Sequence, residues 1–221
     1  MKTVIIGAGG QARIVCDILS YDRNIDIVGF TDSEIRDPDE RIFGRRILGR
    51  HDDIDDLVAQ HEIRAAVIAI GNNALRADRY ERLRGVGVKL LNAIHPSAVI
   101  SPTATLGEGN IVSAGAFVNT LAHLGDNCII NTGAIVEHEV TVGNHVHLAP
   151  GVIVAGRVSI GDLTFIGAGS VVREYLTIGE RVVVGAGSVV LGDLASDVMA
   201  AGAPATVRKV KGGPAGAGDR Q

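Results

Sequence analysis

An aliphatic residue recurs at every sixth position through the second half of the chain. Position 100 and every sixth position after it, up to position 190, carry Ile, Leu or Val without exception. Because these residues make up about a third of the segment, the pattern would arise by chance with a probability on the order of 10⁻⁷. We therefore predict a coil of short strands in which one aliphatic side chain per hexapeptide points inward.

Glycine follows a second period, three times as long. Three hexapeptides would then form one triangular turn, with glycine at corners that need a backbone conformation closed to other residues. The scarcity of aromatic residues, 3% of the chain, suits such closely stacked backbone. Two sets of glycines each repeat every eighteen residues, namely Gly107, Gly125, Gly143, Gly161 and Gly179, and Gly115, Gly133, Gly151, Gly169 and Gly187.

The first 94 residues have a different pattern of aliphatic residues. Short aliphatic runs at 4–6, 25–30, 66–70 and 88–94 alternate with helical patterns at 12–21, 53–61 and 74–84. The pattern predicts a small Rossmann-like α/β domain with a four-stranded parallel sheet, in which residues 38–50 form a loop. Ile14, Val15, Ile18 and Leu19 would form the buried face of the first helix. We predict an α/β domain over residues 1–94, a parallel β-helix over 95–205, and a tail over 206–221 that is disordered at its end.

Composition and charge exclude several classes of function. A net charge of -4 provides no basic field for nucleic acid. Cys16 and Cys128 each lie among aliphatic residues and indicate no disulfide framework. The apolar run that opens the chain is too short for a signal sequence or for insertion into a membrane. We expect a cytoplasmic protein.

Most candidates for acid–base chemistry lie in one stretch, NTGAIVEHEVTVGNHVHLAP at 131–150. An imidazole has a near-neutral pKa, so the ring of His138 is suited to take the proton of an attacking amine or hydroxyl. Glu139 would orient the ring, although strand neighbours point to opposite faces, so the pair can cooperate only at a corner. Glu137 is the alternative partner. The competing interpretation is a structural coil whose histidine makes an ordinary surface hydrogen bond.

A glycine-rich motif opens the first helix. GAGGQA, at 7–12, follows the first strand and fits the loose dinucleotide fingerprint, and Asp32 ends the second strand. An NAD-binding domain is therefore one alternative. A domain of four strands is small for that function, however, since a full dinucleotide fold has six.

The repeat resembles the hexapeptide-repeat acyltransferases, and NTGAIVEHE is similar to the nucleotide-sugar acetyltransferases of bacterial glycan biosynthesis, including those of the bacillosamine and sialic-acid pathways. The resemblance implies a left-handed parallel β-helix, whereas the general rule for parallel crossovers would give a right-handed one. It also implies a homotrimer that binds acetyl-CoA between subunits. The implied reaction is direct acetylation of a UDP- or GDP-linked 4-amino-sugar, with acetylation of a sugar hydroxyl as the alternative.

The same resemblance assigns roles to individual residues. It makes His138 the general base, Glu139 its partner, and the N–H of Gly156 a donor to the thioester carbonyl. For the glycines, packing is an equally good explanation. The cofactor-binding set is Asn131, His147, Gly156, Gly167, Ala168, Gly185, Ala186, Ala203 and Pro204, and the substrate-binding set is Gly7, Gly9, Gly10, Gln11, Asp32, Asn72 and Arg76.

Two positions carry particular questions. Family members commonly have His where this chain has Gln11, which puts the identity of the sugar in doubt. Arg76 would either meet a phosphate or lie on a solvated helix face. A zinc site, as in the γ-class carbonic anhydrases, would need a histidine spacing that His123, His138, His145 and His147 do not have, so no metal is expected.

Overall fold

The computed structural model describes residues 1–34, 37 and 39–210. The end of the predicted tail, residues 211–221, lies outside this part of the chain. Residues 1–90 form an α/β domain whose six-stranded sheet has the order β3-β4-β2-β1-β5-β6. Its strands are β1 (Lys2–Ile6), β2 (Asp26–Asp32), β3 (Arg41–Ile42), β4 (Arg45–Arg50), β5 (Ala65–Ile68) and β6 (Lys89–Leu90), and its helices are α1 (Gly10–Ser20), α2 (Ile54–His61) and α3 (Asn73–Gly85).

The sheet has two more strands than the sequence predicts, because part of the predicted loop at 38–50 is a hairpin. β3 and β4 pair antiparallel through Phe43 and Gly44, both with positive φ, as a tight hairpin turn requires. β4 then pairs parallel with β2, and Ile47 enters the core. The prediction of a loop was wrong because arginines surround the few aliphatic residues of β4 and hide its alternation.

Helix α1 also differs from its predicted face. Ile14, assigned to the buried side, is 36% exposed. Ala12 and Cys16 are buried instead, together with Val15, Ile18 and Leu19. The small side chains of Ala12 and Cys16 let the helix approach the sheet closely, whereas Ile14 lies at the edge of the contact.

The aliphatic run at 88–94 divides between the two domains. β6 ends the α/β sheet, and β7 (Ala93–Ile94) pairs with the next coil as the first strand of the β-helix. The connection is only two residues long, so the domains follow each other directly. α1 contacts β7, and Ile111 and Ile129 belong to the same buried cluster as α1. The domains therefore share a core.

The β-helix consists of three parallel sheets, which we name by the surface each presents. The domain face, which packs on the α/β domain, contains β7, β10 (Ile111–Val112), β13 (Ile129–Ile130), β16 (His147–Leu148), β19 (Phe165–Ile166), β22 (Val183–Val184) and β24 (Val198–Ala201). The apolar face contains β8 (Val99–Ile100), β11 (Phe117–Val118), β14 (Ile135–Val136), β17 (Ile153–Val154), β20 (Val171–Val172) and β23 (Val189–Val190). The polar face contains β9 (Thr105–Leu106), β12 (His123–Leu124), β15 (Thr141–Val142), β18 (Ser159–Ile160) and β21 (Thr177–Ile178).

The predicted inward stacking is confirmed. From Val112 to Val190, the aliphatic residue at every sixth position is buried, and together these residues form one continuous cluster. Burial of each such side chain is worth about 1.5–3 kcal/mol, so the stack is the main source of stability in this domain. Successive coils pair in register at a spacing of eighteen residues up to β23. The spacing shortens to sixteen residues at the last coil, where Val183 pairs with Met199.

The two glycine columns have different physical causes. Gly115, Gly133, Gly151, Gly169 and Gly187 have φ of 65–69° and form the first corner, between the domain and apolar faces, as predicted. The column from Gly107 to Gly179 does not have this conformation, so the corner explanation was wrong there. At Gly125 a Cβ atom would lie 2.8 Å from the backbone of Gly143 in the next coil. Close approach of successive coils, not a positive φ, requires these glycines.

The remaining two corners are formed mostly by residues other than glycine, also with positive φ, and Gly109 is the exception in the first coil. Leu121, Glu139, Arg157 and Tyr175 occupy the second corner, between the apolar and polar faces. Asn127, His145, Leu163 and Arg181 occupy the third corner, between the polar and domain faces.

The end of the β-helix is covered by a short antiparallel pair. β25 (Thr206–Val210) pairs with β24 after the cis Ala203–Pro204 peptide bond. Residues 206–210, which the sequence assigns to the start of the tail, are thus part of the folded structure. No helix in the described part of the chain is long and apolar enough to span a membrane.

Candidate active site

His138 and Glu139 lie at the second corner, the one arrangement in which adjacent residues can cooperate. β14 leads into the corner, and Glu139 has a φ of 59° that turns its side chain back toward the preceding residue. Nδ1 of His138 is 3.1 Å from Oε2 of Glu139. The geometric objection that applies to neighbours on a strand is therefore removed.

Glu137 holds the backbone of the corner and not the ring. Its Oε2 accepts hydrogen bonds from the side-chain amide of Asn119 at 2.9 Å and from the backbone N–H of His138 at 3.1 Å. Of the two carboxylates that the sequence leaves open, Glu139 is the one in contact with the imidazole. The Arg157 guanidinium, followed by His138, lowers the pKa of Glu139, so this group is a carboxylate at neutral pH.

Gly156 lies directly beneath the His138 ring in the next coil. A Cβ atom at Gly156 would be 2.5 Å from Nε2 and 2.6 Å from Cε1 of His138. The ring can therefore lie this close to the backbone only because position 156 has no side chain. The side chain of His138 is 47% exposed, and among the described residues Nε2 has no hydrogen-bond partner. This nitrogen is free to accept a proton from a bound molecule.

His147 lies on the domain face in a contrasting environment. It is 8% exposed, its ring packs edge-on against Phe165 with 5.1 Å between centroids, and Nδ1 is 3.5 Å from the Gly71 carbonyl. Nε2 is 3.4 Å from the side-chain amide of Asn131. Burial, followed by the charge of Arg76, lowers the pKa of His147 to about 4. The ring is neutral at physiological pH.

A cleft of about 360 Å³ lies beside His147, where the α/β domain meets the domain face. Asn72 is at its rim and caps α3, since its side-chain oxygen accepts the N–H of Leu75 at 3.0 Å. Asn73 donates to the carbonyls of Leu163 and Thr164, both at 3.0 Å, and so fixes the wall of the cleft. The cleft is lined by Gly71, Asn72, Asn73, Ala74, Leu163, Phe165, Arg181 and Val183.

A single chain does not bring the two histidines into one pocket. The second corner, with His138, is the vertex of the triangular coil opposite the domain face, which carries His147 and Asn131. The sequence resemblance assigns all three to the same reaction. Their separation within one chain means that any shared site needs a second copy of the protein.

The glycine loop forms a second cavity, of about 300 Å³, lined by Ala8, Gly9, Asp32, Ser33, Glu34 and Glu40. Gly7 has a φ of 117°, and a Cβ atom there would lie 2.7 Å from the Ala69 carbonyl oxygen, so this glycine is needed by the fold itself. Gly9 and Gly10 face open space, which leaves the N-terminus of α1 accessible. Nε2 of Gln11 is buried and lacks a partner among the described residues.

Arg76 neither faces a phosphate nor lies on a solvated helix surface, so both alternatives drawn from the sequence were wrong. The residue is fully buried. Its guanidinium donates to the carbonyls of Asn127 at 3.0 Å, Ile70 at 3.1 Å and His145 at 2.8 Å, and thereby connects α3 to the third corner. Burial lowers its pKa to about 10, and it remains charged.

The small residues of the cofactor-binding set divide into packed and exposed positions. Gly167 and Gly185 are packed, since a Cβ atom at Gly167 would be 2.5 Å from the Ala186 nitrogen and one at Gly185 would be 2.9 Å from Cβ of Ala201. Ala168 and Ala186 are exposed along the first corner, and Ala203 and Pro204 are exposed at the end of the coil. The exposed alanines form a strip along which a narrow molecule can lie.

Sequence reasoning missed three residues that define these sites: Arg157, Tyr175 and Phe165. Arg157 and Tyr175 follow Glu139 at steps of eighteen residues, so the repeat itself contains the signal. Phe165 follows His147 by the same step. In the described part of the chain, no group of three or more His, Cys, Asp or Glu residues is arranged to hold a metal ion.

Comparison with known proteins identifies the relatives of both domains. The model for the PglD N-terminal domain matches residues 2–83, and the bacterial transferase hexapeptide model matches 122–156 and 157–192. Perosamine N-acetyltransferase from Caulobacter crescentus is 38% identical with a TM-score of 0.88, over 95% of this chain and 97% of that one. The chain belongs to the hexapeptide-repeat nucleotide-sugar acetyltransferase family. The match confirms the predicted family and fold class, and it makes the protein an acyltransferase.

Two further relatives are consistent with this membership. The acetyltransferase domain of PglB from Neisseria gonorrhoeae is 31% identical over 94% of this chain and 98% of that one, with a TM-score of 0.84. UDP-N-acetylbacillosamine N-acetyltransferase from Bacillus subtilis is 34% identical over 126 residues, and the chain spans about half of its length (52%). The Caulobacter enzyme was solved in complex with CoA and GDP-perosamine, and the Neisseria domain with acetyl coenzyme A.

Proposed function

We propose that the protein is an acetyl-CoA-dependent N-acetyltransferase that acts on a nucleotide-linked amino-sugar, with His138 as the general base. The observation that supports this best is the arrangement at the second corner. Glu139 holds Nδ1 of His138, Gly156 leaves room for the ring, and Nε2 is unpartnered within the described part of the chain. A base oriented by a carboxylate, with one nitrogen open, is what amine acetylation requires.

The reaction is direct transfer. The amine of the sugar attacks the thioester carbonyl while Nε2 of His138 takes its proton, and Glu139 stabilises the imidazolium that forms. The backbone N–H of Gly156, which has no partner among the described residues, is available to the oxyanion. When the carbon–sulfur bond breaks, the CoA thiolate leaves and takes the proton from the imidazolium.

The glycine loop is the proposed site of the nucleotide. The exposed N-terminus of α1 favours a diphosphate, because unpaired N–H groups and the helix dipole point toward it. Asp32 would accept hydrogen bonds from the ribose or base, as in other strand-end carboxylates. GDP-perosamine bound to the Caulobacter relative supports this class of ligand. The exposed alanine strip and the cleft beside His147 are the proposed path of acetyl-CoA.

The proposed active unit is a homotrimer with sites shared between subunits. The α/β domain packs on the domain face, so a nucleotide-sugar held there lies away from the same chain's His138. The apolar face presents only aliphatic and aromatic side chains outward, with Val99 at 53% and Ile153 at 38% exposure. Such a continuous apolar surface favours burial against another copy. The polar face, which presents Thr, Ser and His at the same positions, is suited to solvent.

A matched pair of variants tests this assembly. Ile153→Asp places a charge on the apolar face and should convert the trimer to monomers, because a buried unpaired carboxylate costs several kcal/mol. Ser159→Asp makes the same change on the polar face and should leave the trimer intact. Light scattering at micromolar concentration would distinguish them. A wild-type monomer, or equal behaviour of both variants, would contradict the shared site.

A ligand screen tests the substrate class. UDP- and GDP-linked amino-sugars should raise the melting temperature while NADH should not, since a hundredfold excess over Kd stabilises the native state by about 2.7 kcal/mol. Mass spectrometry with acetyl-CoA would then identify the product, and stability to mild base would separate an amide from the ester formed by O-acetylation. Stabilisation by NADH and not by acetyl-CoA would reject the proposal. The cytoplasm, which supplies acetyl-CoA, is the proposed compartment.

A further inference from the structure

Glu139 is shared between His138 and a second partner from the next coil. Its Oε2 accepts Nε–H of Arg157 at 2.8 Å, in addition to its contact with Nδ1 of His138. Arg157 in turn donates to the Tyr175 hydroxyl at 3.2 Å, and its guanidinium lies 5.6 Å from the centre of that ring. We propose that Arg157, held by Tyr175, is a positioning residue that fixes the Glu139 carboxylate and thereby the tautomer and charge balance of His138.

The fold stacks these three side chains one above another. Glu139, Arg157 and Tyr175 occupy the second corner of successive coils, with φ of 59°, 59° and 62°. Gly and Asn adopt this conformation at lower energy than Arg or Tyr. The backbone therefore gives no reason for a large side chain at position 157. The contacts of its guanidinium with Glu139 and Tyr175 provide one.

The arrangement of charge indicates what the guanidinium does. His138 is contacted by Glu139 through its ring and by Glu137 through its backbone N–H, and Arg157 from the next coil bonds to Glu139. Two coils on, Glu174 occupies the position equivalent to His138, and Tyr175 bonds to Arg157. Arg157 makes the largest contribution to the lowered pKa of Glu139. Glu139 therefore orients the ring without taking its proton. Because Arg157 bonds to the same carboxylate oxygen as His138, it also sets the charge that Glu139 presents to the ring.

Replacement of Arg157 by Asn is the sharpest test, because Asn favours the left-handed conformation and removes only the guanidinium. The inference rests on His138 as the base, so one readout is independent of turnover: ¹⁵N NMR of His138 in the ligand-free protein. Wild-type protein should show the tautomer with the proton on Nδ1. R157N should show a mixture of tautomers, and R157K an intermediate state. R82Q, which breaks the Arg82–Asp55 pair on the helices, is the control.

Kinetics supply the second readout. R157N should lower kcat by roughly two- to tenfold with KM for acetyl-CoA within twofold, as expected for loss of a half-exposed charged hydrogen bond. The acid limb of the kcat profile should move to higher pH, because the lost positive charge favours the protonated ring. Tyr175→Phe, which keeps the ring but not the hydroxyl, should have a smaller effect in the same direction.

Two results would overturn the inference. An unchanged tautomer and pH profile in R157N would show that Glu139 holds His138 alone, and an increase confined to KM for acetyl-CoA would make Arg157 a ligand contact instead. Full turnover in H138A would reject the proposed function. The NMR result would still decide the role of Arg157 in that case, so the two failures are distinguishable.

Discussion

His138 and His147 are nine residues apart in the chain and yet have opposite environments. His138 is half-exposed at a corner, bound to a carboxylate through Nδ1, with Gly156 beneath it. His147 is buried on a strand, between the Asn131 amide and the Gly71 carbonyl. The first environment leaves Nε2 of the ring open to a bound molecule, whereas the second keeps the ring neutral. The two histidines therefore differ in environment because of where each lies in the coil, and not because of the residue type.

The largest difference between the two histidines should appear in turnover. His138→Ala should lower kcat by roughly two to four orders of magnitude without loss of fold, as removal of a general base does. His123→Ala is the matched control, because His123 is also an exposed histidine of the β-helix and its ring bonds, among the described residues, to Thr105 alone at 2.7 Å. Steady-state kinetics together with circular dichroism would check both variants. Near-wild-type kcat in His138→Ala would exclude its assigned role.

The buried histidine should instead control stability at acid pH. Its pKa of about 4 lies below the ordinary value of 6.5. Below pH 6.5 the unfolded chain binds a proton at this histidine and the native state does not. The free energy of unfolding therefore decreases as the pH is lowered from about 6.5 to about 4, and it is constant above neutrality. The contribution lost between pH 7 and pH 5 is about 2 kcal/mol. Urea unfolding at fixed protein concentration would measure it.

The neutral variant His147→Gln isolates this effect from the other histidines whose pKa burial lowers, His51 and His145. The free energy of unfolding of His147→Gln should decrease less than that of wild type between pH 7 and pH 5. His123→Gln, the same change at an exposed histidine, should have the same pH dependence of the free energy of unfolding as wild type. Equal pH dependence in wild type and His147→Gln would show that His147 can be protonated in the folded protein.

Most of the fold, but only part of the candidate site, could be predicted from the sequence. The aliphatic period, the first-corner glycines and the His138–Glu139 pair could be predicted, because each depends on local pattern or on a motif. The buried role of Arg76 could not, since two of its carbonyl partners, Asn127 and His145, are contributed by the β-helix. β4 was missed because arginines flank its buried Ile47. Contacts that depend on stacking between coils, such as Arg157 on Glu139, follow from the eighteen-residue step only once the corners are known.

The most specific of the expected effects concerns the backbone against which the His138 ring lies. Gly156→Ala should lower kcat by roughly ten- to a hundredfold, because the added methyl group would be 2.5 Å from Nε2 and the ring must move. The φ of Gly156 is not positive, so alanine adds no backbone strain. Gly192, two coils further along the same column, faces open space, and Gly192→Ala should keep full activity. A crystal structure of Gly156→Ala with a shifted ring, together with full turnover, would show that the position of the ring on the coil is not part of catalysis. His138 and His147 would then differ only in how exposed their rings are.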